Sequence, residues 1–165
     1  MRKLTIAILG VMTLLSACAD SEPAVDPSAT SATSGTGVIG PAPNTVEYFN
    51  VVVGDRVFFD TDRHDLTSEA QFVLAKQAQW FAANPAATAV IEGHADERGT
   101  REYNLALGAR RANSARAYLI NQGVDAGRLR AVSFGKERPV ALGSSEQAWS
   151  QNRRSVAVVT GAPTS

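Results

Sequence analysis

The stretch TAVIEGHADERGTREYNLALGARRANSARAYLINQG, residues 88–123, decides the fold. Thr88 to Gly93 is short and rich in Val, Ile and Ala, and reads as a strand. Thr100 to Gln122 reads as a long helix, with Gly123 in the place just past its end. Between them lies the densest polar cluster of the chain, Gly93 to Asn104. A loop joining the end of a strand to the start of a helix is a natural ligand site, because the helix start offers free N–H groups and a positive dipole end.

Working outward, the same alternation continues. Val51 to Phe59 is rich in Val and Phe and predicts a strand, with Gly54 as a bulge. Ser68-Glu69-Ala70-Gln71 fits a capping box. Ala70, Val73, Leu74, Ala78 and Phe81 then recur at helical spacing until Asn84-Pro85 ends the helix. Trp80, Phe81 and Phe72 read as core, Trp80 with a partly exposed edge. Leu129 to Phe134 predicts a third strand, Ser144 to Gln151 a short helix, and Ser155 to Thr160 a last strand. The order β-α-β-α-β-(α)-β predicts an α/β (α+β) sandwich with helices packed on one face of a mixed sheet.

Asn104 and Arg111 are seven apart on the long helix, so at ~100° per residue they share a face. Gly108 lies between them, either to admit a ligand or to let the helix pack closely. A carboxylate such as Asp96 near a guanidinium such as Arg111 suits a zwitterion, one group taking an ammonium and the other gripping a carboxylate. From spacing alone, an ion pair between the two or a solvated face explains them equally.

Composition narrows the function classes. The 16 Lys+Arg against 16 Asp+Glu give zero net charge, which argues against a nucleic-acid partner. A single cysteine excludes an internal disulfide framework. Met1-Arg2-Lys3 is followed by an apolar run from Leu4 to Leu15 and by Leu15-Ser16-Ala17-Cys18. This is the pattern of a secretory signal, and its tetrad resembles a bacterial lipoprotein signal. That resemblance implies a signal peptide at residues 1–17 and Cys18 as a lipidated N-terminus. Without residues 1–17 the net charge is −2. Of the 27 residues from Ala19 to Thr45, 20 are Ala, Ser, Thr, Gly or Pro, so residues 18–45 read as the lipidated cysteine and a disordered linker. Residues 46–160 form the domain and 161–165 a tail.

Gly93-His94-Ala95-Asp96-Glu97-Arg98-Gly99-Thr100, Tyr103-Asn104, Leu107-Gly108 and Arg110-Arg111-Ala112-Asn113 together resemble the OmpA-like peptidoglycan-binding domain family, in its peptidoglycan-associated lipoprotein (Pal) branch. Phe58-Phe59-Asp60, Ser133 to Pro139 and Asn152-Arg153-Arg154 extend the likeness over residues 50–160. The resemblance implies a non-enzymatic protein of the outer membrane, lipid-anchored and facing the periplasm. It implies non-covalent binding of the meso-diaminopimelate stem peptide of peptidoglycan and a part in the Tol-Pal system at cell division. On matching positions the ligand-binding residues are Asp96 and Arg111, with Asn104, Ala95 and the loop Phe59, Asp60, Thr61 and Asp62. TolB, and with it TolA, is the implied protein partner, with Glu97, Arg98 and Glu102 as the contact. Thr61 and Arg101 depart from the branch, which often has an aromatic residue and a proline there. A wall anchor outside the Tol system is the alternative within the family.

Other chemistries fit less well. Asp60 to Asp65 looks like the start of a calcium loop, but Asp65 stands where Gly is needed and Gln71 where Glu is needed. His94 with Asp96 gives two metal ligands at most, so no metal or cofactor is expected, and His94 reads as structural. A peptidoglycan hydrolase would need two carboxylates facing one bond, and Asp96 with Glu97 are adjacent in a loop.

Overall fold

The computed structural model describes residues 40–163. Helix α1 (Val46–Tyr48) starts at Thr45, whose hydroxyl accepts from the Tyr48 N–H, and runs into a π-helical turn, Phe49–Gly54. Strand β1 is Arg56–Phe58 and helix α2 Ser68–Ala83. Strand β2 (Thr88–His94) leads to helix α3 (Arg101–Asn121), strand β3 (Leu129–Gly135), helix α4 (Glu146–Asn152) and strand β4 (Arg154–Thr160).

The sheet order is β1-β4-β2-β3. β4 runs antiparallel to both neighbours, and β2 pairs with β3 in parallel, as the crossover through α3 requires. The sheet is therefore mixed, as expected. Helices α2 and α3 cover one face, where Leu74, Ala78 and Phe81 of α2 and Ala112, Ala115 and Leu119 of α3 bury against Ile91, Ala157 and Val159. On the other face Phe58 and Val158 remain exposed.

One close approach sets the position of α3. A side chain at Gly93 would place its Cβ 1.8 Å from the Gly108 carbonyl oxygen, and one at Gly108 would meet the Ser133 hydroxyl at 2.4 Å. Helix packing, then, is what requires Gly108. This contact brings the Asn104–Arg111 face of α3 up to the end of β2.

Three differences from the sequence reading have clear causes. The expected strand from Val51 begins only at Arg56, and the three valines lie in the π-helical turn. Phe49 drives this: it is fully buried and packs edge-on against Trp80 and Phe81, at 4.8 and 5.7 Å between centroids. Tertiary packing of Phe49, with the half-buried Val53 beside it, thus overrides the β-propensity of the three valines, of which Val51 and Val52 are exposed. The cap of α2 is Thr67, one residue before the expected Ser68, and its hydroxyl accepts from the Ala70 N–H. Trp80 is buried rather than edge-exposed, and Phe72 is exposed rather than core.

The packed body also starts before Val46 and ends after Thr160. Thr45 is buried, the Trp80 indole N–H donates to the Pro43 carbonyl at 2.8 Å, and the Val46 N–H donates to the Pro163 carbonyl at 2.8 Å. The last residues of the expected linker and the first of the expected tail are therefore part of the domain. Cys18 and the signal segment lie outside the described residues.

Candidate functional site

The loop from Ala95 to Thr100 leaves β2 and feeds α3. Its shape is fixed by four contacts. The Thr100 hydroxyl caps α3 by accepting from the Tyr103 N–H, and Gly99 takes a left-handed conformation at φ 87°. The Asn104 side-chain amide donates to the Arg98 carbonyl at 2.7 Å. The Lys136 ammonium donates to the carbonyls of Gly99 and Glu97. The facing wall is the loop after β1. There Asp62 holds φ 59°, rare for a residue with a side chain, and its carboxylate accepts from the Tyr103 hydroxyl.

Between the walls is a cleft of about 310 Å³. Asp96, Arg98 and Gly99 line one side, Thr61 and Asp62 the other, and Tyr103, Asn104, Leu107 and Arg111 the α3 side. Of the residues singled out from the sequence, Asp96, Arg111, Asn104, Thr61 and Asp62 meet here. Phe59 lies behind the cleft, with its ring 5.2 Å from the Arg111 guanidinium carbon. Asp60 contributes its carbonyl, and Ala95 is buried with its N–H on the Gly135 carbonyl. Glu97, Arg98 and Glu102 are all exposed, as a protein contact requires.

Arg111 is the most constrained side chain of the site. It has no exposed surface, and three of its five N–H donors are engaged by backbone carbonyls: Arg63 (2.8 Å), His94 (2.8 Å) and Asp60 (3.1 Å). It therefore ties the end of β2 to the Asp60–Arg63 loop. One N–H on Nη1 and one on Nη2 have no hydrogen-bond partner among the described residues. Burial lowers its pKa to about 10 against the pull of Asp96, so it stays charged at neutral pH.

Asp96 pairs with other arginines. Arg98 reaches its two oxygens at 2.6 and 3.2 Å, and Arg153 approaches at 3.5 Å. Burial pushes its carboxyl up, but the hydrogen bonds and charge of Arg98, with Arg153, outweigh this and hold it below the usual range. Such a group is an anion at neutral pH and a poor general acid. Glu97 instead accepts from the Trp149 indole at 3.0 Å, outside the cleft. The two carboxylates do not face one bond, as a hydrolase would need.

His94 is buried in a stack on Phe134, and its Nδ1 lacks a partner. Burial first, then Arg154 and Arg138, lower its pKa to about 4. It is a neutral structural residue, although not a fully satisfied one. In the segment that looks like the start of a calcium loop, Asp65 pairs with Arg63 at 2.8 Å and Asp62 accepts from Tyr103. Among the described residues no three His, Cys, Asp or Glu side chains converge on one point.

Trp149 escaped the sequence reading as a site residue. Arg153 belongs to the Asn-Arg-Arg run, to which the family resemblance gives a structural or groove-flanking role, but nothing local shows that it reaches Asp96, 57 residues away in sequence. Trp149 carried no signal; only the folded chain places its ring under Arg98, 4.2 Å from the guanidinium carbon.

Residues 58–153 match the OmpA family. The chain belongs to that family. A peptidoglycan-associated lipoprotein of Rhizobium meliloti is 54% identical over 128 residues, 78% of this chain and 73% of that one. One of Mesorhizobium japonicum is 54% identical over 120 residues, 73% of this chain and 71% of its own. Among solved structures, the peptidoglycan-associated lipoprotein from Burkholderia pseudomallei superposes with a TM-score of 0.67 at 40% identity, covering 72% of this chain and all of that one. OmpA family membership agrees with a binding protein rather than an enzyme, and with the α+β fold expected from the sequence. The OmpA match runs from β1 to Arg153, and so contains every residue that lines the cleft. No described helix is long and apolar enough to cross a membrane.

Proposed function

We propose that this protein is a lipoprotein of the outer membrane, facing the periplasm, that holds peptidoglycan without turnover. The observation that carries this is the cleft itself. A buried, ionised Asp96 and a charged Arg111 with two N–H groups to spare line one pocket with Asn104. That suits the far end of meso-diaminopimelate, which bears an ammonium and a carboxylate. Relatives more than half identical over most of the chain are peptidoglycan-associated lipoproteins, which supports peptidoglycan as the polymer held. Cys18 supplies the lipid anchor in this reading, and two or more acyl chains make the attachment stable.

Sedimentation with purified diaminopimelate-type sacculi tests the site. Asp96→Asn is expected to lose binding with its fold intact. Lysine-type sacculi should bind weakly, since lysine lacks the far carboxylate and leaves Arg111 unmatched at a cost of ~1–3 kcal/mol. Wild-type sedimentation by the variant, or equal binding to both walls, would overturn the reading. Cys18→Ser is expected to move the protein from the membrane to the soluble fraction.

The role in the Tol-Pal system is what the resemblance to the Pal branch implies, and the exposed Glu97, Arg98 and Glu102 beside the cleft would form the contact. Titration with TolB should show binding that Glu102→Arg weakens. No binding would instead place the protein among wall anchors outside that system.

A further inference from the structure

The Asp96 carboxylate already has a cation on it. Arg98 donates from Nη2 to Oδ2 at 2.6 Å and from Nε to Oδ1 at 3.2 Å, and its own backbone N–H reaches Oδ1 at 3.1 Å. The partners differ in exposure: the Arg98 side chain is 39% accessible, that of Asp96 only 9%. A solvent-reaching arm therefore caps a buried anion. The two residues are two apart in one loop, so release needs only side-chain rotation.

The surroundings are arranged for that rotation. The guanidinium lies over the Trp149 indole, which Glu97 holds in place through the ring N–H. Arg98 can slide along this face without losing it. Arg153, anchored on the Phe59 carbonyl at 3.0 Å and on Glu146 at 2.5 Å, stays near Asp96. Asp96 is thus never left without a counter-charge.

We propose that Arg98 is a built-in competitor for the Asp96 subsite, so that a ligand ammonium binds only by displacing its guanidinium onto the Trp149 face. This rests on the reading that Asp96 receives an ammonium group. The consequence is a threshold. A lone amine exchanges a two-pronged guanidinium for a point charge on the same carboxylate and gains little. A zwitterion gains a second anchor on the two remaining N–H groups of Arg111. The closed state weakens both by one factor, so at a given concentration only the two-anchor ligand fills the site.

Calorimetric titration of the full-length protein tests this, with a stem tetrapeptide bearing meso-diaminopimelate and its lysine counterpart as probes. Arg98→Gln is expected to tighten the diaminopimelate peptide roughly three- to tenfold, as removal of a competing closed state does. It should tighten the lysine peptide by the same factor, leaving the preference between them unchanged, because both ligands displace the same arm. Arg98→Lys should fall between Arg98→Gln and wild type. In the wild type, the Arg98 Nε resonance should shift as the diaminopimelate peptide saturates. Asp96→Asn separates the two ideas. If it keeps wild-type affinity, the Asp96 reading itself fails, and the competitor with it. If it loses binding while Arg98→Gln leaves both affinities unchanged or weaker, or the Arg98 resonance stays still, Asp96 remains the site and the competitor role is refuted.

Discussion

Replacing Arg111 by alanine should unfold more than a binding site. Its guanidinium donates to the carbonyls of Arg63, His94 and Asp60, which join the Asp60–Arg63 loop to the end of β2. Truncation leaves these acceptors without a partner and opens a cavity the size of the side chain. A buried acceptor left unmatched costs ~1–3 kcal/mol, and hydrogen bonds to charged groups lie toward the upper end. Against this, the variant no longer buries a charge, and the loop can relax to admit water. Loss of one partner from a buried polar network typically costs ~3–5 kcal/mol. In a domain of this size each kcal/mol moves the thermal midpoint by roughly 3–5 °C, so the midpoint should fall by roughly 10–25 °C. Circular dichroism melts of the wild type and Arg111→Ala measure it, with Arg110→Ala, at an exposed position of α3, as a surface control that should move far less. A midpoint for Arg111→Ala within about 3 °C of wild type would refute the claim that this side chain holds the loop. It would return Arg111 to a purely ligand-facing role.

Three further outcomes follow from the same structure. Gly93→Ala should prevent soluble expression or remove several kcal/mol of stability, because its Cβ would stand 1.8 Å from the Gly108 carbonyl oxygen; an equilibrium urea titration reads the loss. His94 should make stability fall with acid. Its folded pKa of about 4 lies below the ordinary 6.5, so the unfolded chain binds the extra proton between those values. Up to roughly 3 kcal/mol should be lost as pH drops from about 6.5 to about 4, and His94→Phe should flatten that slope in pH-dependent melts. Asp96 acts in a lower window. Its depressed carboxyl contributes above its unfolded value and loses that contribution only as pH falls through the folded one, so ligand binding should persist through mildly acidic pH; titrating affinity against pH checks it.

Much of this was legible because it is local. The strand β2, the length of α3, its Gly123 stop and the strand β4 follow from periodicity and from residues at their ends. Asn104 and Arg111 share a face because helix geometry makes it so. What escaped depends on distant partners. Phe49 turns its neighbours helical because Trp80 and Phe81 wait some 30 residues away. The engagement of Arg111 by three carbonyls depends on a loop about 50 residues earlier, so an arginine that reads as a free ligand anchor is also a structural tie. Arg98 stood inside the polar cluster from the start, but its hold on Asp96 is a matter of side-chain direction, which sequence spacing does not report.

The clamp between Val46 and Pro163 has a mechanical consequence. It sits where the upstream chain enters, and Pro163 follows closely on β4, which begins at Arg154, next to the Arg153 that approaches Asp96 of the cleft. β4 is an interior strand, bonded to β1 on one side and β2 on the other. Its seven residues span ~23 Å at ~3.3 Å each. Tension between a held cleft and a pulled N-terminal lead would run through the backbone from Val46 along β1 to the Thr61–Asp62 wall, loading the hydrogen bonds between β1 and β4 together in shear instead of peeling them one by one.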